Sequence, residues 1–253
     1  MVYLDYNGKQ VFYDLKKNTL KTIIIFIHGS GGDASTWKNQ LNAINSYSLI
    51  ALDLPSHGKS DRFEDLSLNL YVDVLKRLID SLDYDKIIVC GHSLGGAIIQ
   101  TYYFKYPEDL DALILMNTGA KLRVSPAILE SLKRDYEEYL TYLNRVAFSK
   151  KTTNSIMEEY KDKSSLIGAE VTYQDFKICD NFNLFEKTNL IKIPCLIICG
   201  TDDKLTPVKY AQYFHDKIPN SKLVMIENAG HMVMLEKFEE VNDSITKFIE
   251  DLN

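Results

Sequence analysis

Ser93 stands between two glycines in the stretch CGHSLGGAIIQ (90–100), which matches the pattern G-x-S-x-G with Gly91 and Gly95. The stretch follows an apolar, strand-like run and opens a helical one. A strand that turns directly into a helix strains its middle residue, and glycines on either side allow the backbone to approach closely. Ser93 would then project at a helix N-terminus, where free N–H groups favour developing negative charge. The alternative is a plain N-cap serine; the pattern predicts a nucleophile.

A second glycine-rich turn, FIHGSGGDASTW (26–37), follows an earlier apolar run. Its glycines leave backbone N–H groups open to an incoming oxyanion, so we expect the N–H groups of Ser30 and Leu94 to form an oxyanion hole. The alternative is an ordinary strand-to-helix turn. His28, at the start of this loop, is expected to hold the loop by hydrogen bonds.

A serine nucleophile needs a general base, and the chain has five histidines. His215 lies in a helical stretch typical of a surface, His57 in a tight polar turn, and His92 beside the serine, where it would point elsewhere. His28 stays as an alternative. His231, in NAGHMVMLE (228–236), follows the last apolar run and would lie at the same sheet edge as Ser93, so we predict it to be the base.

The base in turn needs a carboxylate that fixes its tautomer. Asp53 ends one strand-like run, but its turn, DLPSHGKSD, favours a role in capping the turn amides. Another run ends at Asn117, which cannot act as an acid. The stretch GTDDKLTP (200–207) remains, with Asp202 and Asp203 both open at this point.

The elements that must position these residues alternate between strands and helices. A hairpin around Asn7-Gly8 precedes them, and Thr206 and Pro207 are expected to begin a helix. Dense Ile, Leu and Val without alternation predicts strands buried on both faces, hence an α/β fold with a mostly parallel sheet of about eight strands. The predicted strands are 22–27, 47–54, 86–91, 111–117, 193–200 and 221–227. The predicted helices are near 34–45, 67–82, 95–106, 208–217 and 237–251.

No strand is predicted for about seventy residues after Gly119, far more than a crossover needs. We therefore predict a helical cap over 119–188, inserted into a core domain made of 1–118 and 189–253. Within it, residues 126–148 place apolar side chains on one helix face. Hydrophobic cap residues are expected to line a substrate pocket: Phe148, Met157, Leu166, Ile167 and Phe176.

The bulk composition is that of a globular protein, with 253 residues, 45% of them hydrophobic and 25% charged. A net charge of −6 gives no reason to expect nucleic acid as a partner. The apolar run TIIIFI (22–27) is too short to span a bilayer, and the N-terminus lacks a secretory signal, so a cytoplasmic location is expected. The four cysteines are expected to be free thiols rather than disulfides or metal ligands.

Five motifs, HGSGG, DLPSHGKS, GHSLGG, GTDDKLTP and AGHMVMLE, occur in an order and spacing that resemble the α/β-hydrolase family. The resemblance covers the chain outside the cap. It implies an eight-stranded α/β-hydrolase fold and the order nucleophile, acid, histidine, which fits Ser93, Asp203 and His231. Members with a G-x-x-D-x-x-x-P stretch use the aspartate three residues after the glycine, which is Asp203 here.

The resemblance further implies a serine carboxylic-ester hydrolase that needs no metal or organic cofactor and acts on a small-molecule ester. The cap resembles those of carboxylesterases and monoacylglycerol lipases, which implies short- to medium-chain acyl esters or monoacylglycerol as substrates. It also resembles the caps of carbon–carbon bond hydrolases and cofactor-free perhydrolases. A ligand-binding receptor of the same fold is the non-enzymatic alternative.

Overall fold

The computed structural model describes residues 2–252, so Met1 and Asn253, the predicted ends of the core domain, lie outside it. The described strands form one eight-stranded sheet in the order β1-β2-β4-β3-β5-β6-β7-β8. The strands are Val2–Tyr6 (β1), Lys9–Lys16 (β2), Thr22–Ile27 (β3), Ser48–Leu52 (β4), Lys86–His92 (β5), Ala112–Met116 (β6), Cys195–Gly200 (β7) and Ser221–Ile226 (β8).

The sheet is parallel from β4 to β8, and the β1–β2 hairpin adds two antiparallel strands at one edge. Asn7 and Gly8 both adopt positive φ at the hairpin turn, as the Asn-Gly pair predicts. The parallel strands bring their carboxyl ends, and the loops after them, to a common edge. The predicted α/β-hydrolase fold class is confirmed.

Helices cover both faces of the sheet and create a separate apolar core on each. In β3, for example, Ile25 packs into one core and its neighbours Ile24 and Phe26 into the other. Both faces of each central strand are therefore apolar, which explains the absence of alternation in the sequence. The α-helices are Lys38–Ala43 (α1), Leu68–Ile79 (α2), Leu94–Lys105 (α3), Pro126–Arg134 (α4), Tyr136–Ala147 (α5), Asn154–Ile167 (α6), Ala169–Asn181 (α7), Val208–Lys217 (α8), Val233–Glu236 (α9) and Phe238–Glu250 (α10).

The cap region holds helices α4 to α7, which lie between β6 and β7. The predicted cap limits, 119–188, stay a prediction. The prediction of one helix face through 126–148 is wrong, because the chain breaks into α4 and α5 at Asp135. Asp135 adopts an extended conformation, and its carboxylate accepts a hydrogen bond from Glu138 N at 3.0 Å. The pattern D-x-x-E is a helix-start signal, and this local cap outweighs the continuous apolar spacing.

Two expectations drawn from composition can be compared with the described residues. The four cysteines (Cys90, Cys179, Cys195 and Cys199) are free and buried, as expected. None of the helices within 2–252 is both long enough and apolar enough to cross a membrane.

Candidate active site

The loop between β5 and α3 carries Ser93 at its apex. Ser93 has φ 52° and ψ −113°, a conformation that L-residues rarely adopt and that costs about 1–3 kcal/mol. The backbone crossing is as tight as the glycine pattern predicts. A Cβ on Gly91 would lie 2.3 Å from Gly95 O, and a Cβ on Gly95 would lie 2.3 Å from Ile27 O. The two glycines therefore permit the turn that presents Ser93.

The loops after β7 and β8 bring Asp203 and His231 together, with His231 Nδ1 2.9 Å from Asp203 Oδ2. Asp203 is only 5% exposed, and its carboxylate accepts further hydrogen bonds from its own loop. These come from Leu205 N (2.8 Å), Thr206 N (2.9 Å) and Thr206 Oγ1 (2.7 Å). Helix α8 begins at Val208, within the predicted stretch 208–217, but Pro207 takes the N-cap position and the Thr206 hydroxyl donates to the Asp203 carboxylate instead of capping the helix.

Asn117, at the end of β6, completes the surroundings of Asp203. It has φ 43°, and its Nδ2 donates to Asp203 Oδ2 at 2.6 Å and to Gly230 O at 3.2 Å. Burial alone would raise the pKa of the Asp203 carboxyl. The charge and hydrogen bond of His231 and the donors Asn117 and Thr206 outweigh burial and hold this pKa well below its ordinary value. Asp203 is therefore a carboxylate, which can accept a hydrogen bond from a protonated ring nitrogen and stabilise an imidazolium.

His231 is held from three sides. Its ring packs against the His92 ring with centroids 4.6 Å apart. Its backbone N–H donates to the backbone O of Ala147 in the cap at 2.7 Å, and its backbone O lies 3.0 Å from His92 Nε2. Because Nδ1 donates to Asp203, Nε2 is the nitrogen left for the cavity that His231 and Ser93 both line. Within residues 2–252, no hydrogen bond joins Ser93 Oγ to His231, a contact that commonly tightens only when substrate binds.

Two backbone N–H groups near Ser93 fit the expected oxyanion hole. In the loop after β3, Gly31 N donates to Asp175 Oδ2 at 3.0 Å and Gly32 N donates to Gly29 O at 3.1 Å. Ser30 N and Leu94 N have no acceptor among the described residues, and Leu94 N is the first N–H of α3. Both are free to receive a negatively charged oxygen.

The cavity at Ser93 measures about 70 Å³ and lies between the sheet edge and the cap. Its apolar wall comes mainly from the cap and the segment leading into it: Leu122, Val124, Ile128, Leu143, Tyr160 and Phe176. Arg123, Tyr210 and Thr206 add polar atoms to the wall. A small apolar group beside Ser93 is the ligand fragment that this wall suits.

Four cap residues expected in the pocket lie elsewhere. Leu166 is 75% exposed, because it falls on the outer face of α6, and Ile167 lines a different cavity near Gly168. Phe148 and Met157 pack into the hydrophobic core under the cap. Phe176 does line the cavity, and Phe148 reaches it only through its edge-to-face contact with Tyr160.

The remaining histidines and Asp53 have structural surroundings, as the sequence indicated. His28 Nδ1 lies 2.8 Å from Gly29 O while its Nε2 accepts from Leu54 N, and burial together with the charge of His57 lowers its pKa to about 4. Asp53 accepts from Ala34 N and Lys59 N. His215 lies on the surface beside Ser221.

Two carboxylates that the sequence did not single out join loops of the candidate site to the cap. Asp175 of α7 accepts the Gly31 N–H described above. Glu236 accepts from Gly230 N (2.8 Å), Ser149 N (2.8 Å) and Thr152 Oγ1 (2.5 Å), and burial raises its pKa. A single acidic residue inside a helix carries no sequence signal of such a role. Within 2–252, no three His, Cys, Asp or Glu side chains form a group that could hold a metal ion.

Asp202 differs from its neighbour Asp203 in exposure and in partners. Its side chain is exposed, and its Oδ2 accepts from Ser149 Oγ of the cap at 2.5 Å. The sequence led us to expect solvent or turn amides around Asp202, so its contact with the cap was not predicted. Within residues 2–252, its side chain accepts no hydrogen bond from His231 or Ser93.

Comparison with known proteins adds independent information. Residues 24–244 match the model of the alpha/beta hydrolase family. A solved structure described as a thermophilic esterase is 40% identical, covers 100% of this chain and 98% of its own, and superposes with a TM-score of 0.89. Lipase 1 of Psychrobacter immobilis is 25% identical over 96% of this chain and 81% of its own. A 2-hydroxy-6-oxononadienedioate/2-hydroxy-6-oxononatrienedioate hydrolase of Paraburkholderia phymatum is 27% identical over 90% of this chain and 87% of its own.

Proposed function

The chain belongs to the alpha/beta hydrolase family, and we propose that it is a serine carboxylic-ester hydrolase acting on short- to medium-chain acyl esters or monoacylglycerols. The observation that carries the proposal is the His231 ring, held by Asp203 through Nδ1 and leaving Nε2 for the cavity lined by Ser93. A hydrolase role follows from the family. The choice of an ester as substrate is supported by the similarity to a thermophilic esterase and to a lipase.

In the acylation step, Ser93 Oγ attacks the ester carbonyl carbon while His231 Nε2 takes the hydroxyl proton. The carbonyl oxygen becomes an oxyanion, which the N–H groups of Ser30 and Leu94 stabilise at the N-terminus of α3. Asp203 stays ionised and stabilises the imidazolium of His231. The imidazolium then protonates the leaving alcohol, and the acyl group remains on Ser93.

In the deacylation step, a water molecule replaces the alcohol. His231 Nε2 takes a proton from the water, whose oxygen attacks the acyl carbonyl, and the same two N–H groups receive the second oxyanion. Collapse of this tetrahedral intermediate releases the carboxylic acid, and His231 returns the proton to Ser93 Oγ. No metal or organic cofactor takes part in this cycle.

The apolar wall of the cavity supports an acyl group of modest size. Phe176 of α7 and Leu143 of α5 come from the cap, so the length of the acyl chain would be set by how these helices sit on the core. We propose Leu122, Ile128, Leu143 and Phe176 as acyl-contacting residues in place of Phe148, Met157, Leu166 and Ile167.

The test is hydrolysis of the 4-nitrophenyl esters of acetic, butyric and octanoic acid by the wild type, Ser93→Ala and Ser165→Ala. Ser165 lies on the outer cap, where its Oγ donates to Asp162 O, and serves as the control. Losing the nucleophile of a serine hydrolase lowers kcat by about 10⁶-fold. Mass spectrometry of a quenched reaction should find the acyl adduct on the wild type and not on Ser93→Ala. Residual activity of more than a few per cent in Ser93→Ala would refute the nucleophile assignment.

A second candidate is carbon–carbon bond hydrolysis with the same residues. The guanidinium of Arg123 on the cavity wall favours it, because it could bind the carboxylate of an acidic diketone, and a relative at 27% identity is described as a dienedioate hydrolase. Turnover of a vinylogous diketone acid with no turnover of the esters would select this candidate. A single slow turnover with retained product on every substrate would instead support a ligand-binding receptor.

A further inference from the structure

Asp175 of cap helix α7 is a fully buried carboxylate that joins four segments of the chain. Its Oδ2 accepts from Gly31 N at 3.0 Å and lies 2.9 Å from His57 Nε2, and its Oδ1 accepts from Tyr71 Oη at 2.7 Å. Gly31 follows β3, His57 follows β4, and Tyr71 belongs to α2. Asp175 itself has no exposed surface. The cap is therefore bonded to the core at the loop that contains Ser30.

The bond between Asp175 and His57 is charge-balanced. His57 Nδ1 lies 3.0 Å from Pro55 O, which can only accept, so Nδ1 carries a proton. Nε2 faces a carboxylate and donates as well, which makes His57 an imidazolium opposite the Asp175 carboxylate. Replacing such a buried ion pair by apolar residues is often neutral or stabilising in proteins. A gain in stability is thus a weak reason for its presence, and its geometry indicates another role.

That geometry fixes the two peptide planes on either side of Ser30. The Gly29–Ser30 plane is held through Gly29 O, which receives His28 Nδ1 at 2.8 Å and Gly32 N at 3.1 Å. The Ser30–Gly31 plane is held by the bond from Gly31 N to Asp175. Gly31 has φ 64°, and Thr172, one turn before Asp175 on α7, lies against it. With both planes fixed, the Ser30 N–H is left as the unused donor beside Ser93.

We propose that Asp175 is a positioning residue that aims the Ser30 N–H into the oxyanion hole and makes this hole complete only while cap helix α7 is seated on the core. The proposal rests on the proposed function, because it assigns Asp175 to the same acyl-transfer site. The hydrogen bond from Gly31 N to Asp175 joins a motif loop to the cap, and Asp175 itself lies in none of the five sequence motifs. Asp175 touches no substrate and acts only through the Gly31 peptide.

The test compares Asp175→Ala with Tyr71→Phe. Alanine offers no acceptor to Gly31 N, whereas Tyr71→Phe removes the bond to Oδ1 and leaves the Gly31 bond in place. For Asp175→Ala we expect kcat per titrated active site to fall by about 10²-fold, the effect of one oxyanion-hole donor, with KM nearly unchanged. For Tyr71→Phe we expect kcat to stay within about threefold while the urea midpoint falls.

The decisive measurement is inhibition by phenylboronic acid, which forms an anionic tetrahedral adduct with a catalytic serine. If Asp175 aims the Ser30 N–H, its replacement weakens the inhibition constant in proportion to the loss of kcat/KM. If Asp175 only stabilises the fold, the fraction of active protein falls and the inhibition constant stays the same, which overturns the proposal. Equal kcat losses in Asp175→Ala and Tyr71→Phe overturn it as well.

Two further results separate this proposal from the proposed function. If Asp175→Ala does not fold, Asp175→Glu keeps the charge opposite His57 and displaces only the acceptor, and the same loss of boronate affinity is expected. If the wild type hydrolyses no ester, the proposed function fails. The boronate adduct on Ser93 still reports the oxyanion hole in that case, and an unchanged inhibition constant in the Asp175 variants would then overturn the role of Asp175 separately.

Discussion

Two buried aspartate–histidine pairs in this molecule look alike at the level of a single contact. His231 Nδ1 lies 2.9 Å from Asp203 Oδ2, and His57 Nε2 lies 2.9 Å from Asp175 Oδ2. Asp203 and His231 of the first pair follow β7 and β8, whereas in the second pair His57 follows β4 and Asp175 belongs to cap helix α7. Ser93 lies in the loop after β5, a strand between β4 on one side and β7 and β8 on the other.

The pairs differ in what the second ring nitrogen meets. In His57 that nitrogen donates to Pro55 O, so both nitrogens are occupied and the proton has nowhere to go. In His231 it is left to the cavity, where a substrate or water can exchange a proton with it. An aspartate–histidine contact is therefore no sign of catalysis by itself; the free nitrogen decides whether the pair moves protons or holds loops.

The largest effect that this comparison predicts is on turnover. Asp203→Asn should lower kcat by about 10⁴-fold, because the amide favours the wrong tautomer of His231. Ester hydrolysis measures this change, and the urea midpoint checks that the variant is folded. A loss of kcat smaller than about tenfold would contradict the assignment of Asp203 as the acid and would leave no functional difference between the two pairs.

The next largest effect is on the free energy of unfolding, and we expect it for the pair of His57 and Asp175. His57→Gln removes the cation opposite Asp175, which keeps only two other donors, and should lower the unfolding free energy by about 3–5 kcal/mol. His231→Gln should lower it by only about 1 kcal/mol, because Asp203 retains Asn117, Leu205 N and Thr206 as donors. Urea denaturation of both variants tests the contrast. Similar losses in the two would show that His57 is no more structural than His231.

The pairs should also respond to pH in opposite directions. The pKa of His57 is raised above its ordinary value. Burial alone would lower it, but this effect is outweighed by the charge and hydrogen bond of Asp175, by the Pro55 carbonyl and by the charge of Asp53. The stability from this proton is therefore complete below about pH 6.5, the unfolded value, and is lost as the pH rises through the folded pKa. The pKa of Asp203 is lowered, so its contribution is complete above about pH 3.9 and is lost as the pH falls.

The measurement is the difference in unfolding free energy between the wild type and His57→Gln across neutral and alkaline pH. We expect the difference to shrink as the pH rises, with a slope no steeper than about 1.4 kcal/mol per pH unit for one proton. The groups around His57 include Tyr71 and His28, with ring centroids 6.3 and 4.9 Å away, in addition to Asp53 and Asp175. A difference that grows with pH would mean that His57 is neutral in the folded protein.

His231 could be predicted from its local pattern and Asp203 through the family resemblance, whereas the pair of His57 and Asp175 could not be predicted. Ser93 and His231 sit in short local patterns that follow strands, and the parallel sheet brings strand ends to one edge. Asp175 lies in the helical stretch YQDFK, where an acidic residue reads as surface. Its partners are 104 to 144 residues away in the chain, so only the packing of the cap on the core reveals them.

The cap shows the same limit. Apolar spacing identified helical segments, but which face looks into the cavity depends on how each helix is rotated and where it breaks. Leu166 points to solvent and Phe176 into the cavity, although both are large apolar residues in helical stretches. The chain breaks at Asp135 into α4 and α5, and the capping pattern at Asp135 and Glu138 was the one local signal for this break.

The smallest predicted effect is that of Asp202→Asn, the matched control for Asp203→Asn. Asp202 is exposed, and asparagine can still accept the hydrogen bond from Ser149 Oγ, so its loss of charge should change kcat by no more than about twofold, the scale of an exposed polar contact of about 0.5 kcal/mol. Ser149→Ala removes the same contact from the other side and should behave alike. The two adjacent carboxylates differ in place: Asp203 is buried 2.9 Å from His231 Nδ1, whereas Asp202 is exposed and directed to Ser149. A 10⁴-fold gap between Asp203→Asn and Asp202→Asn would assign the role to the buried contact of Asp203 with His231 Nδ1, whereas equal losses would assign it to local charge.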